Sequence, residues 1–144
     1  MGTSMVSNGD RGVWVHDGVG EVWLASLSTL IHGRPDTHPL LLDLSQEIEE
    51  CLEGRWIVGA LQYDFGSLLR DPELKTILRS LQKQVEDDWK AQAASGPLVV
   101  HREWQAAAEY ALPELAMLSR LFFNPASVPM PEHIYIPGRG WKLA

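Results

Sequence analysis

The feature that most constrains the fold is a long segment, starting at Asp71, with apolar residues at helical spacing. Asp71-Pro72-Glu73 combines a capping carboxylate, a proline at the first helical position and an acid in the first turn. The apolar positions that follow are Leu74, Ile77, Leu78, Leu81, Val85 and Trp89. Ser95-Gly96-Pro97 then stops the pattern. The sequence therefore predicts a long amphipathic helix over residues 71–95.

Three other segments have the same periodicity. Residues 21–32 carry an apolar helical face and are followed by Gly33 and Pro35, which end a helix. Pro39 opens a second helix over residues 40–53, and Gly54 closes it. A further helical pattern covers residues 102–123 and contains Pro113, so we expect it to kink or divide there.

Short β-prone runs lie near both ends of the chain. Residues 13–15 are predicted to form an edge strand, and residues 134–136 are predicted to form a second strand. Residues 98–100 are predicted to form a short connector, and residues 124–131 are predicted to be extended. Residues 55–70 fit either a strand or a helix, and we favour a strand over about 56–63 followed by a turn or short helix. The predicted fold is α+β and predominantly α-helical, with four to five helices and one small sheet from the strands near the termini and about residues 56–63.

Composition bounds the domain organisation and the classes of partner. The chain has 144 residues, which fits a single globular domain over 12–144 preceded by a polar, glycine-rich, disordered tail over 1–11. The formal net charge of −7 argues against nucleic acid and anionic membrane as partners, and is compatible with a basic protein. One cysteine, no signal-peptide pattern and no long apolar run predict a cytoplasmic protein.

Motifs for known chemistry are missing from the sequence. It contains no Gly-x-Ser-x-Gly, no phosphate-binding loop and no His-Glu-x-x-His, so we predict no catalytic residue and no cofactor. Gly18-Val19-Gly20 is a poor dinucleotide-binding turn because Trp23 stands where the third glycine belongs. Cys51 lies on an apolar helix face among acids, which favours an inert thiol.

One loop offers a weak candidate metal site. His32, Asp36 and His38 are residue types that bind divalent ions, and they also read as ordinary loop residues. A complete site would need another ligand brought in by folding, and the remaining histidines are His16, His101 and His133.

Acidic residues crowd the second predicted helix. Its acids are Asp43, Glu47, Glu49, Glu50 and Glu53, and residues 40–54 contain no lysine or arginine. Most lie in the C-terminal half, where the helix dipole disfavours negative charge, and several repel each other at i,i+4. One interpretation is that they meet a basic partner. The other is that cations of the same chain neutralise them, namely Arg34, Arg55, or the stripe formed by Lys75, Arg79 and Lys83.

These observations lead to three functional hypotheses. The first is a protein-binding domain, specifically a bacterial immunity-type protein, or antitoxin, that neutralises a basic toxin through the acids above, with Trp14 and Trp141 as aromatic anchors. The second is a metal-dependent enzyme or small-ligand-binding domain with a site assembled from the loop histidines. The third is a structural or regulatory subunit that forms a homodimer.

Overall fold

The computed structural model describes residues 3–34, 38–55, 62–128, 133–136 and 140–143. As predicted, the fold is α+β and predominantly helical. The described residues form five α-helices: α1 (Asp17–His32), α2 (Pro39–Glu50), α3 (Gly66–Leu69), α4 (Pro72–Ser95) and α5 (Ala108–Phe123). A π-helical turn (Cys51–Arg55) continues α2, and a 3₁₀ turn (Pro125–Ser127) follows α5.

The described strands form three small sheets. The strands β1 (Thr3–Asn8), β2 (Arg11–His16) and β3 (Gln62–Asp64) make a sheet of order β2-β1-β3, antiparallel between β1 and β2 and parallel between β1 and β3. Two antiparallel hairpins follow: β4 (Leu98–His101) with β5 (Trp104–Ala107), and β6 (His133–Ile136) with β7 (Gly140–Leu143). The prediction of a single sheet was wrong, since the C-terminal strands pair with each other.

The expectation of a disordered N-terminal tail was wrong for residues 3–8, which form the central strand β1. Met5 and Val6 are almost completely buried, at 1% and 3% exposure. The polar composition hid this strand because its polar side chains find partners inside the fold. Ser4 donates a hydrogen bond to Asp17, and Asn8 donates to the carbonyl of Leu121. The predicted edge strand at residues 13–15 is confirmed, because β2 lies at the edge of the sheet.

The predicted start of the last long helix was also wrong. Residues 98–107 form the β4–β5 hairpin, with Arg102 at φ 55° in the turn. Residues 102–107 do have helical apolar spacing, but packing overrides this preference: Trp104 and Ala106 lie partly buried against the core. Helix α5 begins at Ala108 and is not divided at Pro113.

The segment that the sequence left ambiguous is only partly described. Strand β3 and helix α3 agree with a strand followed by a short helix, while residues 56–61 lie outside the described residues. In the segment predicted as extended, the described part forms the 3₁₀ turn and then an extended Val128.

Helices α1, α4 and α5 meet around Trp23, which is fully buried. Its ring makes edge contacts with Phe65 and Phe122, at centroid distances of 5.5 and 5.9 Å. Its indole Nε1 donates to Gln82 Oε1 over 2.8 Å, and Gln82 Nε2 donates to Ser119 Oγ over 2.9 Å. The Trp23 indole N–H and the Gln82 side-chain amide therefore both have partners, as a low-dielectric interior requires.

Candidate functional site

A continuous group of polar side chains lies where α1, α2 and the β4–β5 turn meet. Helix α1 contributes residues from its last turns, α2 contributes two residues one turn apart, and the hairpin contributes its turn. We call this group the turn cluster, and its members are Ser28, Thr29, His32, Ser45, Glu49, His101 and Arg102.

The turn cluster is centred on an ion pair between Glu49 and Arg102. Arg102 Nη1 donates to Glu49 Oε1 over 2.8 Å and Nη2 donates to Oε2 over 3.0 Å, while both side chains remain 32% exposed. The guanidinium also donates to Thr29 Oγ1 from Nε and Nη2. The hydrogen bonds from Arg102 lower the pKa of Glu49 against the opposing effect of burial, so this carboxyl is ionised at neutral pH.

Two buried serines connect Glu49 to His32. Ser28 Oγ donates to Glu49 Oε2, Ser28 and Ser45 are joined over 2.8 Å, and Ser45 Oγ lies 2.7 Å from His32 Nε2. Each hydroxyl has one hydrogen. Because Ser28 gives its hydrogen to the carboxylate, Ser45 must donate to Ser28, and His32 Nε2 must donate to Ser45. The order of donation is therefore fixed from His32 to Glu49.

This order determines what the serine–histidine pair can do chemically. A general base has to accept the hydrogen of its nucleophile. Here the Ser45 hydrogen is directed to Ser28, and His32 Nε2 already carries a hydrogen. In this arrangement Ser45 is not an activated nucleophile, and the contact joins α1 to α2 instead.

The predicted metal ligands are not assembled into a site within the described residues. That part of the chain contains no group of three or more His, Cys, Asp or Glu that could hold a metal ion. His32 Nε2 bonds to Ser45, and His38 Nδ1 accepts from the backbone N–H of Leu40 at the start of α2. His16 pairs with Glu114. Asp36 and the side chain of His133 lie outside the described residues.

Of the two interpretations of the acids on α2, neutralisation within the chain holds for Glu49. Its partner, Arg102, was not among the cations proposed from the sequence. Glu47, Glu50 and Glu53 also have interactions within the chain. Asp43 is exposed, and it makes no hydrogen bond or ion pair in the described part of the chain.

Two of the three basic residues proposed on α4, Arg79 and Lys83, are engaged elsewhere. Arg79 Nε donates to the carbonyl of Phe122 at the end of α5, and its guanidinium lies 5.4 Å from the centroid of the Phe123 ring. Lys83 bonds to Asp87 on its own helix. Arg34 has interactions within the chain, and the side chain of Arg55 lies outside the described residues.

Sequence reasoning missed Arg102 because it lay in a predicted helix. A polar His-Arg-Glu turn between two β-prone runs was the signal available.

The exposed side of α2 combines leucines with acids. Leu41, Leu44 and Ile48 point into the core. Leu40 and Leu42 are 46% and 48% exposed. We call the solvent-facing residues the outer face of α2: Leu40, Leu42, Asp43, Gln46 and Glu47.

The structure describes the side chain of only one of the two tryptophans proposed as anchors. Trp14 is 41% exposed on β2, between the buried Val13 and Val15. Trp141 belongs to β7, but its side chain lies outside the described residues.

Cys51 is half-buried just after α2. Burial first, and then the negative charge of Glu21, raise the pKa of its thiol to about 12. The sequence predicted an inert thiol from its place on an apolar helix face and from neighbouring acids of the same helix; burial is confirmed as the main cause, and the contributing acid lies on α1 instead.

Comparison with known proteins finds no matching family model, no similar curated protein and no similar solved structure. Among the helices that the structure describes, none is both long and apolar enough to cross a membrane.

Proposed function

We propose that this chain is a protein-binding module that docks a basic protein on the outer face of α2. The observation that carries the proposal is that Leu40 and Leu42 are each nearly half exposed on the outer face of α2, which also carries the exposed Asp43. Binding surfaces typically combine an apolar centre with a polar rim.

The two kinds of residue have separate roles in this proposal. The leucines supply apolar area that loses water on binding, which provides affinity. Asp43 favours a cationic partner and speeds encounter, and the net charge of −7 extends that attraction over the whole molecule. Glu49 is not part of the proposed surface, because Arg102 holds it.

The specific form that we propose is a cytoplasmic, immunity-type protein that neutralises a basic toxin such as a nuclease. A small acidic domain can block such an enzyme by covering the cationic surface with which the enzyme binds its substrate. The same negative charge disfavours nucleic acid and anionic membrane as partners.

The test is affinity capture from the source lysate with three forms of the protein. The forms are wild type, the leucine-and-charge variant Leu42→Ala/Asp43→Lys, and the matched control Gln84→Ala/Asp87→Lys on the exposed side of α4. We expect wild type and control to retain the same high-pI protein at low salt, and the α2 variant to lose it. Binding of the purified partner should weaken as salt rises.

Other results would contradict the proposal. Equal capture by all three forms would place the binding surface elsewhere, and capture that is insensitive to salt would remove the electrostatic argument. Sedimentation of the purified protein tests a second copy as the occupant. We expect a monomer, because two acidic faces repel each other; a dimer that Asp43→Lys strengthens would overturn this expectation.

A further inference from the structure

The turn cluster contains a second hydrogen-bond sequence, which runs from Arg102 to His101. Thr29 Oγ1 receives N–H groups from Arg102 Nε and Nη2, at 3.2 and 3.0 Å, and it lies 2.7 Å from His101 Nε2. A guanidinium can only donate. Both acceptor positions of the hydroxyl are therefore occupied, and its single hydrogen is directed to His101.

This pattern fixes the protonation state of His101. Nε2 must be an acceptor, so the neutral ring carries its hydrogen on Nδ1. Protonation would place a hydrogen on His101 Nε2, where the structure needs a lone pair. That hydrogen would face Thr29 Oγ1, whose acceptor positions are already occupied by Arg102. It would also place a cation beside the Arg102 guanidinium.

We infer that His101 is a proton-sensitive latch, whose neutral ring helps to hold the β4–β5 turn on α1 and whose protonation at Nε2 loosens Arg102 from Thr29. The inference concerns the turn itself and does not depend on what the outer face of α2 binds.

The charges around the ring give the direction of the pH response. Arg102 in the turn opposes protonation and Asp88 on α4 favours it, while Glu103 and Glu49 act on Arg102. Burial and Arg102 outweigh Asp88, so the pKa of His101 is lowered from its usual 6.5. Because the pKa of His101 is lower in the folded state, its contribution to stability is complete at pH values above the ordinary 6.5. This contribution is lost as the pH falls through the lowered pKa.

The other histidine of the turn cluster has the opposite hydrogen-bond direction. His32 donates from Nε2 to Ser45, so this contact needs no lone pair on that nitrogen. A His32 variant is therefore a control for the effect of His101.

The experiment is NMR of the full-length protein from pH 8 to pH 5. Ring ¹⁵N shifts at pH 8 should show His101 with hydrogen on Nδ1 and His32 with hydrogen on Nε2. On acidification, the Arg102 Nε–H signal should be lost to faster exchange with water. Arg79 Nε–H, bonded to the Phe122 carbonyl, is the internal reference and should persist to lower pH.

Two variants complete the test. His101→Gln keeps an acceptor oxygen but does not titrate, so the Arg102 signal should then follow the Arg79 reference. His32→Gln should behave as wild type. An Nε2–H tautomer of His101 at pH 8, or the same loss of the Arg102 signal in His101→Gln, would overturn the latch. The tautomer measurement uses the unaltered protein and holds even where a variant folds poorly.

Discussion

Glu49 and Arg102 lie 53 positions apart in the chain and are joined by two parallel hydrogen bonds. This pair fastens the β4–β5 turn to α2 and removes one acid from the surface that we propose for binding. The Glu49 carboxylate fixes the direction of the hydrogen bonds through the two serines to His32. The Arg102 guanidinium fixes the direction of those through Thr29 to His101.

The energetic coupling of this pair can be measured with a double-mutant cycle. We expect Glu49→Gln and Arg102→Gln to couple by about 0.5–1 kcal/mol, because the pair is bidentate but partly exposed. Urea unfolding of the wild type, both single variants and the double variant gives the coupling. Strictly additive losses would show that the contact contributes nothing to stability.

Stability should depend on Glu49 at acidic pH. Its pKa is lowered in the folded state, so its contribution is complete above the unfolded value near 4.5 and is lost as pH falls through the lowered pKa. The difference in unfolding free energy between wild type and Glu49→Gln should therefore shrink as pH falls from 7 to 3. Asp43→Asn, which removes an acid without such a partner, is the control, and an equally large change in that variant would contradict the assignment.

Gln82 should be the most costly polar residue to replace in the core. Gln82→Met removes the acceptor of Trp23 Nε1 and the donor to Ser119, and each buried group left unpaired costs about 1–3 kcal/mol. Gln84→Met on the exposed side of α4 should be close to neutral. Chemical unfolding compares the two, and similar losses in both variants would refute the importance of this network.

Gly66 should not tolerate a methyl group. A Cβ atom at position 66 would lie 2.7 Å from the backbone nitrogen of Gly9. Because this is a backbone atom, no side-chain rotation can relieve the overlap. Gly66→Ala should lose about 1–3 kcal/mol from this overlap. Gly96→Ala meets nothing within 4 Å and is the matched control. Thermal unfolding of both variants decides the point, and equal melting temperatures would exclude the close approach.

The Cys51 thiol should react slowly in the folded protein. With its pKa raised to about 12, almost none of it is thiolate at neutral pH. Labelling with a thiol-specific disulfide reagent at pH 7.5 should be far slower for the native chain than for the chain in denaturant. Comparable rates would mean that the thiol is accessible and its pKa ordinary.

The sequence by itself determined α4 and its limits, because there the apolar period and the residues at both ends agreed. Asp71 accepts hydrogen bonds from the N–H groups of Glu73 and Leu74, as its place before Pro72 predicts. Such signals are local, because a helix satisfies its own backbone and needs only one consistent apolar face.

Tertiary structure alone decided β1, the β4–β5 hairpin and the turn cluster. A strand obtains its backbone hydrogen bonds from other strands, which for β1 are the adjacent β2 and the distant β3, so the polar residues of β1 could not reveal their partners in advance. In the same way, Glu49 is an unfavourable charge near the end of a helix until the fold brings Arg102 to it. The pattern of acids indicated where to look, and the packing of the hairpin on α1 and α2 decided that Glu49 is bound within the chain.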